Sequence, residues 1–508
     1  MAFEPNYEKV VTGYRKNIGS TQSVVECKLP TTDEVKKILC ANAKVYISNS
    51  EIDNKNVDFS GCVGFQVIYT NQDSTVQSVD YTAEFRDKFQ TSEDLSGVIP
   101  VVSTAVVDIN TVVANGEVKV VAIIETIIDG IYNQDITVLT NVTGDMVFVR
   151  KEEFDYRNYV GTAYEKFETS NDVEIKDGVD RVLSVCPSVT IDSVAPNERY
   201  LTVMGQVNLD ICYLSDNGVL RTTQASYDFS QEIAQDSLTE NSDIQSTMQI
   251  AICDVKITTS VDINNAIVNV LIPLVYTGYI YNNNSLEIVA DVFSTETYTN
   301  LTIESVKHIR PFESVEFDDK ITGSVTLDDS APFIDELLGT CCNNVVLANT
   351  SFVDGYFTVE GVAHTTALYL NKEFNTVNSV EIEMPFSSST SLDYPLETNA
   401  LVQLSLGEVS ARARRGKEIE VTANLEIYSD FYLNEEDAVI NNIAAEDEIP
   451  EDECALSIYF AKDGDTVWDI AKEMRVSPET VLAQNPNLAE PIQMGTRVAI
   501  YRQRMEEF

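Results

Sequence analysis

A short sequence motif, which we call the glycine-tyrosine motif, recurs three times in this chain. This repetition constrains the fold more than any other feature. Each copy holds a glycine eight residues before a tyrosine, within a stretch of β-branched, aromatic or short residues. The pairs are Gly61 and Tyr69, Gly205 and Tyr213, and Gly361 and Tyr369. Their spacing of 144 and 156 residues suits whole domains and exceeds the period of a solenoid unit. We therefore predict three tandem globular domains.

The residues around each pair favour antiparallel strands. Turn-forming residues follow each tyrosine closely, which is typical of a hairpin. A glycine inside a strand usually marks a bulge or a close approach of two backbones, and the tyrosine suits a buried ring. Each copy then closes with another hairpin, whose turns are predicted at Asn115-Gly116, Asn264-Asn265 and Arg415-Gly416. The pattern predicts mainly β, sandwich-like repeats.

One short helix is also expected in each repeat, which makes the predicted class α+β. A leucine stands 22, 22 and 23 residues before the three glycines, at the end of a run with apolar residues at helical spacing. The runs read TTDEVKKIL, KDGVDRVL and SAPFIDELL, and they end at Leu39, Leu183 and Leu338.

The charge balance argues against a nucleic-acid partner. The 508 residues include 34 Lys and Arg against 81 Asp and Glu, and phosphates would repel the net charge of −47. Solubility is the simplest role of this acidity, with loose Ca²⁺ binding at pairs such as Asp318-Asp319 as the alternative. The N-terminus has no apolar signal region, and no run of about 18 apolar residues occurs. We therefore predict a cytosolic chain without membrane insertion.

No recognisable catalytic or metal-binding motif is present in the sequence. His308 and His364 are the only histidines, and neither lies in a nucleophile or metal motif, so we expect no enzyme and no cofactor. The nine cysteines include no C-x-x-C pair, so neither a zinc site nor a redox motif is indicated. Most of them are expected to be reduced core residues. The adjacent Cys341 and Cys342 favour two free thiols over a vicinal disulfide.

A strongly acidic segment separates the repeats from the C-terminal part. Residues 434–454 hold nine acidic side chains, no basic one and few large apolar ones. Such a segment buries too little surface to offset the entropy of ordering. We predict an extended, self-repelling tether, with binding of a basic partner as the alternative.

The C-terminal residues predict a small βααβ module. A strand from Leu456 to Ala461 precedes a turn, and Thr466 can cap the first helix together with Asp469. Ser477 followed by proline is typical of the start of a second helix. The last strand is expected at residues 497–501.

This order of elements resembles the LysM family, with GDT, Trp468, Asn485 and Gly495 at the family's spacing. In that family N-acetylglucosamine chains lie in a groove between two loops, where backbone amides and small apolar side chains suit an N-acetyl group. The resemblance implies groove residues Gly464, Asp465, Thr466, Val467, Trp468, Asn485, Pro486, Asn487, Leu488, Pro491 and Ile492. Packing inside the module is the alternative role for Trp468.

The three repeats resemble the SPOCS domains of spore-coat proteins from endospore-forming bacteria. Three such repeats followed by LysM resemble the SipL-like family of coat morphogenetic proteins. The predicted boundaries are residues 1–150, 151–300 and 301–434 for the repeats, 435–454 for the linker and 455–502 for the LysM domain.

The resemblance implies a non-enzymatic scaffold that acts in the mother-cell cytoplasm and tethers the coat to the forespore surface. In that family the LysM module is implied to bind the coat basement-layer ATPase SpoIVA, and we expect the repeats to bind other coat proteins. The alternative is a protein whose LysM module binds peptidoglycan or N-acetylglucosamine chains, in the spore cortex or a phage particle, with the repeats as a stalk.

Overall fold

The computed structural model describes residues 4–31, 33–114, 116–176, 178–239, 242–262, 265–450 and 455–502. Antiparallel strands make up most of these residues, so the prediction of a mainly β protein is confirmed. The first repeat contains β1 (Glu4–Leu29), β2 (Val35–Asp53), β3 (Asn56–Asn71), β4 (Val76–Gln90), β5 (Ile99–Ala114) and β6 (Glu117–Thr143).

The other two repeats follow the same plan. The second contains β7 (Val147–Ile175), β8 (Arg181–Pro196), β9 (Tyr200–Leu214), β10 (Leu220–Ala234), β11 (Ser242–Ile250), β12 (Lys256–Asp262) and β13 (Asn265–Ser294), with a single 3₁₀ turn at Ile252–Asp254. The third contains β14 (Thr297–Pro311), β15 (Val315–Thr326), β16 (Glu336–Val353), β17 (Tyr356–Asn371), β18 (Thr376–Ser391), β19 (Asn399–Arg414) and β20 (Glu418–Glu448).

Each repeat contains two sheets. One is three-stranded, and its middle strand contains the glycine-tyrosine motif. The strand orders of these sheets are β2-β3-β4, β8-β9-β10 and β16-β17-β18. The other is built on a long antiparallel ribbon, formed by β1 with β6, by β7 with β13, and by β14 and β15 with β20. Apolar side chains from both sheets share one core, as where Val63 and Phe65 meet Val120 and Ile124. The repeats therefore have the sandwich-like packing that strand alternation predicts.

The repeated glycines lie where two backbones come close together. In each repeat the neighbouring strand has a register shift beside the residue that faces the glycine. A Cβ atom at Gly61, Gly205 or Gly361 would lie 2.0, 2.2 or 2.3 Å from a backbone oxygen of that strand. The tyrosines Tyr69, Tyr213 and Tyr369 are buried. The expected bulge, close approach and buried ring are all confirmed.

The prediction of a short helix before each of these glycines is wrong. Strands β2, β8 and β16 all begin within the three runs. The register shifts around Leu39, Leu183 and Leu338, so each of these leucines is a bulge residue. A bulge breaks the two-residue alternation of a strand by one position, and this produced the apparent helical spacing. The residues on either side of these leucines pair with β3, β9 and β17.

The acidic segment before the C-terminal module is mostly a strand and not a tether. Strand β20 continues to Glu448 and pairs with β14 from Tyr432 onward. Val439, Ile440 and Ile443 are buried among apolar residues of the other two repeats, whereas most acidic residues of the segment are exposed. A few well-placed apolar side chains therefore order a segment whose composition favours disorder. Residues 451–454 lie outside the described residues.

The far halves of the three ribbons pack together into a stem, formed by β1 and β6, β7 and β13, and β14 and β20. Each layer of its core takes one residue from the same position of each repeat. These sets include Val10, Phe154 and Val306, then Val138, Ile288 and Val439, then Ile131, Tyr281 and Tyr432. The repeats are therefore arranged around a pseudo-threefold axis.

A buried ion pair lies where the three repeats meet at the base of the stem. Arg15 is 2% exposed, and its Nη2 atom lies 2.7 Å from Oδ2 of Asp129. Its Nη1 atom donates to Gln245 of the second repeat, and its backbone exchanges two hydrogen bonds with the side chain of Asn434 in the third. A cavity of about 1520 Å³ lies between the repeats nearby, lined by residues from all three.

Two further features complete the fold. A disulfide joins Cys62 to Cys253 and so links the first repeat to the second. In the described part of the chain, no helix has the length and apolar character needed to cross a membrane.

Candidate docking site in the C-terminal module

The C-terminal module consists of β21 (Leu456–Phe460), α1 (Val467–Met474), α2 (Pro478–Gln484) and β22 (Arg497–Tyr501). Thr466 begins α1 with a capping box, in which its hydroxyl accepts from the Asp469 amide and the Asp469 carboxylate accepts from the Thr466 amide. Desolvation acts to raise the pKa of Asp469, but the hydroxyl and the amide of Thr466, which both donate to this carboxylate, and the charges of Arg150 and Lys472 outweigh it and lower that pKa. Ser477 caps α2 through its hydroxyl, which accepts from the Thr480 amide.

The first loop of the implied groove is held by bonds within the module. Oδ2 of Asp465 accepts from the Tyr459 hydroxyl at 2.9 Å and from the Lys462 amide at 2.7 Å. Desolvation and the Asp465 carboxylate raise the pKa of Tyr459 to about 12. Gly464 is exposed, has a φ of 85° and leaves open space where a side chain would stand. Asp465 therefore shapes this loop.

The second loop is tied both to the last strand and to the first loop. The Asn485 side chain donates to the carbonyl groups of Val481 and Ala499, and it accepts from the Ala499 amide. Oε1 of Glu490 accepts from the Val467 amide at 2.7 Å, so that amide of the implied groove already has a partner. Ile492 is buried and Leu488 is half-buried, whereas Pro486, Asn487 and Pro491 are exposed.

Trp468 faces the stem and not the groove. Its Nε1 donates to Oδ2 of Asp291 at 2.8 Å, and its ring lies edge-on to that of Phe293 with centroids 5.0 Å apart. Lys472, one turn later on α1, forms an ion pair with the same carboxylate at 2.7 Å. Helix α1 thus docks on the end of β13. Sequence reasoning could not find this contact because its partner lies 177 residues away.

A second contact holds the same helix against the third repeat. Nη2 of Arg475, which follows α1, donates to the Tyr298 hydroxyl at 2.9 Å, and its guanidinium lies 4.7 Å from the centre of that ring. Tyr298 belongs to β14 and Asp291 to β13. The module therefore rests on the tip of the stem, where these two strands lie.

One face of the two-stranded sheet of the module carries exposed apolar side chains. Leu456, Ile458 and Phe460 alternate along β21 and are 48%, 53% and 57% exposed. Tyr501 pairs with Leu456 across the sheet and is 60% exposed, and Arg497 stacks its guanidinium over the Phe460 ring. We call these residues the β21 face. An apolar row of this kind on a polar module is typical of a protein-protein contact.

The comparisons with known proteins identify part of the first repeat. Residues 34–114, from the start of β2 to the end of β5, match the family model described as SipL, SPOCS domain. This match supports a relationship to SipL-like spore-coat proteins and a role connected with the sporulation coat. The matched segment includes Gly61 and Tyr69. Neither the curated proteins nor the solved structures include a significant match to the chain.

Proposed function

We propose that this protein is a non-enzymatic scaffold of the spore coat, acting in the mother-cell cytoplasm at the forespore surface. Its C-terminal module, which we propose is a LysM domain, docks on the coat basement-layer ATPase SpoIVA, while the three repeats form a rigid body that binds other coat proteins. The family match over the first repeat supports the connection with the coat. The β21 face is the observation that carries the docking proposal.

The β21 face is free to meet a partner in the intact chain. The module is held on the stem through Trp468, Lys472 and Arg475, and Leu456, Ile458 and Phe460 remain about half exposed with the stem in place. Large apolar and aromatic side chains that leave water on binding supply most of the affinity of typical interfaces. The anchored helix also presents this face in one orientation, which lowers the entropy lost on docking.

Several groups of the implied glycan groove are already engaged. The Val467 amide donates to Glu490, and the side-chain amide of Asn485 bonds to Val481 and Ala499. Trp468, the only tryptophan, stands against Phe293 of the stem. A sugar chain in the groove would have to displace such bonds, which favours a protein as the partner of this module.

Binding of the purified full chain to purified SpoIVA, measured by biolayer interferometry, tests the proposal. Ile458→Lys and Phe460→Lys each place a charge in the β21 face, and we expect each to weaken binding at least tenfold. Met494→Lys is the matched control, because Met494 is also exposed and apolar but lies in the turn before β22. Deletion of residues 456–508 is expected to abolish binding.

Each outcome of these measurements bears on a separate part of the proposal. Full binding by both lysine variants would show that the β21 face is not the docking surface. Full binding after the deletion would show that the module does not dock at all. Titration with N-acetylglucosamine oligomers covers the other ligand class: saturable binding at millimolar or lower concentration, with no binding to SpoIVA, would contradict the protein-docking role.

A further inference from the structure

Three cysteine sulfurs from two different repeats meet near the pseudo-threefold axis. Cys40 lies on β2 of the first repeat, and Cys341 and Cys342 lie on β16 of the third. All three are buried, and their sulfur atoms lie within 4.8 Å of one another. Sγ of Cys341 is 3.1 Å from Sγ of Cys40. The surrounding side chains are apolar and come from all three repeats: Leu39, Ile68, Leu183, Cys212, Leu338 and Leu368.

The third repeat departs from the other two at this position. Its leucine-to-glycine distance is 23 residues, against 22 in the first and second repeats. The extra residue appears in β16 as a second register shift, between Cys341 and Asn344. The corresponding residues of β2 and β8, from Asn42 to Lys44 and from Cys186 to Ser188, pair without a shift. One residue has thus been inserted beside the thiols of Cys40 and Cys341.

The insertion turns two consecutive thiols in the same direction. Neighbouring side chains of a regular strand point to opposite faces of the sheet. Cys342 has a φ of 57°, a left-handed conformation that residues with a Cβ atom adopt rarely. With that turn, the sulfurs of Cys341 and Cys342 both reach Cys40. Strained positions of this kind persist where the surrounding structure holds them, and they occur preferentially at binding sites.

We propose that Cys40, Cys341 and Cys342 form a three-thiolate binding site for a soft, thiophilic metal ion, and that this ion is Cu(I). A metal-sulfur bond of about 2.3 Å places two sulfurs of a planar three-coordinate site roughly 4 Å apart, which the present cluster reaches with small shifts. Soft thiolate ligands select Cu(I) and zinc. Within the described chain, no fourth His, Cys, Asp or Glu atom belongs to this group. Zinc requires four ligands, whereas Cu(I) accepts three, and the thiol protons leave to solvent as the ion binds.

The all-sulfur character of the cluster supports the choice of a soft ion. The site lies among leucine and isoleucine side chains, and its three ligand atoms in the described chain are all sulfur, which suits a soft ion that accepts three-coordination.

Anaerobic incubation of the reduced full chain with Cu(I), delivered from its bathocuproine disulfonate complex, tests the proposal. The number of bound ions is measured by mass spectrometry of the metal, and their neighbours by X-ray absorption. Cys40→Ser and Cys341→Ser are each expected to bind one ion fewer than the unchanged chain. Cys212→Ser is the matched control, because Cys212 is buried in the same apolar cluster but is not one of the three ligands. The ion lost is expected to have three sulfur neighbours.

Deletion of Cys342 separates loss of the site from loss of the fold. It restores the 22-residue spacing of the other two repeats and removes the left-handed residue, so the metal-free variant should unfold at the same temperature as the unchanged chain or higher. We expect it to bind one ion fewer and to lose the rise in melting temperature that Cu(I) produces in the unchanged chain. Equal Cu(I) content in all variants would overturn the proposal, and so would a Cys40–Cys341 disulfide that persists under the reducing conditions.

Discussion

Nε1 of Trp468 donates to Oδ2 of Asp291, across 177 residues of chain and from the C-terminal module to the stem. The same carboxylate is the ion-pair partner of Lys472. One aspartate of the second repeat therefore orients the module through both a neutral donor and a cation on α1.

This contact predicts a fluorescence change, because Trp468 is the only tryptophan. Asp291→Ala should leave the indole without its acceptor and admit water, so its emission maximum should shift to longer wavelength in the folded protein. The control is Glu287→Ala, on the same strand, which breaks an exposed ion pair with Lys151. An unchanged emission maximum in Asp291→Ala would mean that the module does not rest on the stem in solution.

The repeated glycines predict a large cost for a single methyl group. A Cβ at Gly361 would lie 2.3 Å from the Val346 carbonyl oxygen and 2.6 Å from the Phe386 ring, so the strands must move apart. We expect Gly361→Ala to lower the free energy of unfolding by about 1–3 kcal/mol, measured by urea denaturation. Gly161→Ala is the control, because its nearest contacts lie at an ordinary 3.6 Å. Equal stability of the two variants would contradict the close approach.

The buried ion pair at the base of the stem predicts a strong effect of Arg15→Met. Removal of the guanidinium leaves Asp129 without its cation in a largely buried position, and breaking such a pair costs about 3–5 kcal/mol. Lys16→Met, the next residue on the strand, removes an exposed pair with Glu93 and should cost less than about 1 kcal/mol. Thermal unfolding of both variants measures the contrast, and similar losses would place Arg15 in a wetter environment than the structure shows.

We expect the buried carboxyl group of Asp430 to make a pH-dependent contribution to the stability of the fold. Burial raises its pKa, although it accepts hydrogen bonds from the Ser246 amide, Ser314 and Tyr428. A raised pKa in the folded state means that the contribution is fully present below the unfolded value of about 3.9 and is lost as pH rises through the folded value. The stability of the unchanged chain relative to Asp430→Asn should therefore fall as pH rises from about 4. A difference independent of pH, measured by thermal unfolding, would contradict the assignment.

We expect Asn485 to have a structural role in the module, where the resemblance to LysM would suggest a ligand role. Two of its three hydrogen bonds, both with Ala499, join the end of α2 to β22, and the third goes to the Val481 carbonyl of α2. Asn485→Ala should therefore loosen the segment 481–501 by about 2 kcal/mol. Hydrogen exchange followed by mass spectrometry measures this as faster exchange in that segment. Asn487→Ala, at an exposed neighbouring position, should leave the exchange unchanged. Unchanged exchange in Asn485→Ala would free this residue for a role in binding.

Local patterns carried most of the correct predictions. The glycine-tyrosine motif indicated strands because a bulge and a tight turn depend on nearby residues. Thr466 with Asp469 indicated the start of a helix for the same reason. The same locality caused the errors. The bulged leucine of each repeat produced a helical spacing. The acidic composition of residues 434–454 indicated disorder, although three apolar side chains of this segment pack against other parts of the chain and order it.

The candidate docking site was also predictable from the sequence only in part. Sequence spacing located the loops around Gly464 and Asn485. It could not show that the side chain of Asn485 forms its hydrogen bonds inside the module. The β21 face was visible in the sequence only as an apolar strand. Its exposure depends on which side of the module rests on the stem, and Asp291 and Phe293 decide that.

The sequence by itself determined that there are three repeats, that they are mainly β, and where their backbones come closest, because glycine spacing and strand alternation act over a few residues. Only the tertiary structure decided that Cys40 meets Cys341 and Cys342, and that Trp468 turns toward Asp291. These partners lie 301 and 177 residues apart, and the register of long ribbons around a common axis brings them together. Their positions follow from the packing of all three repeats, which no local pattern contains.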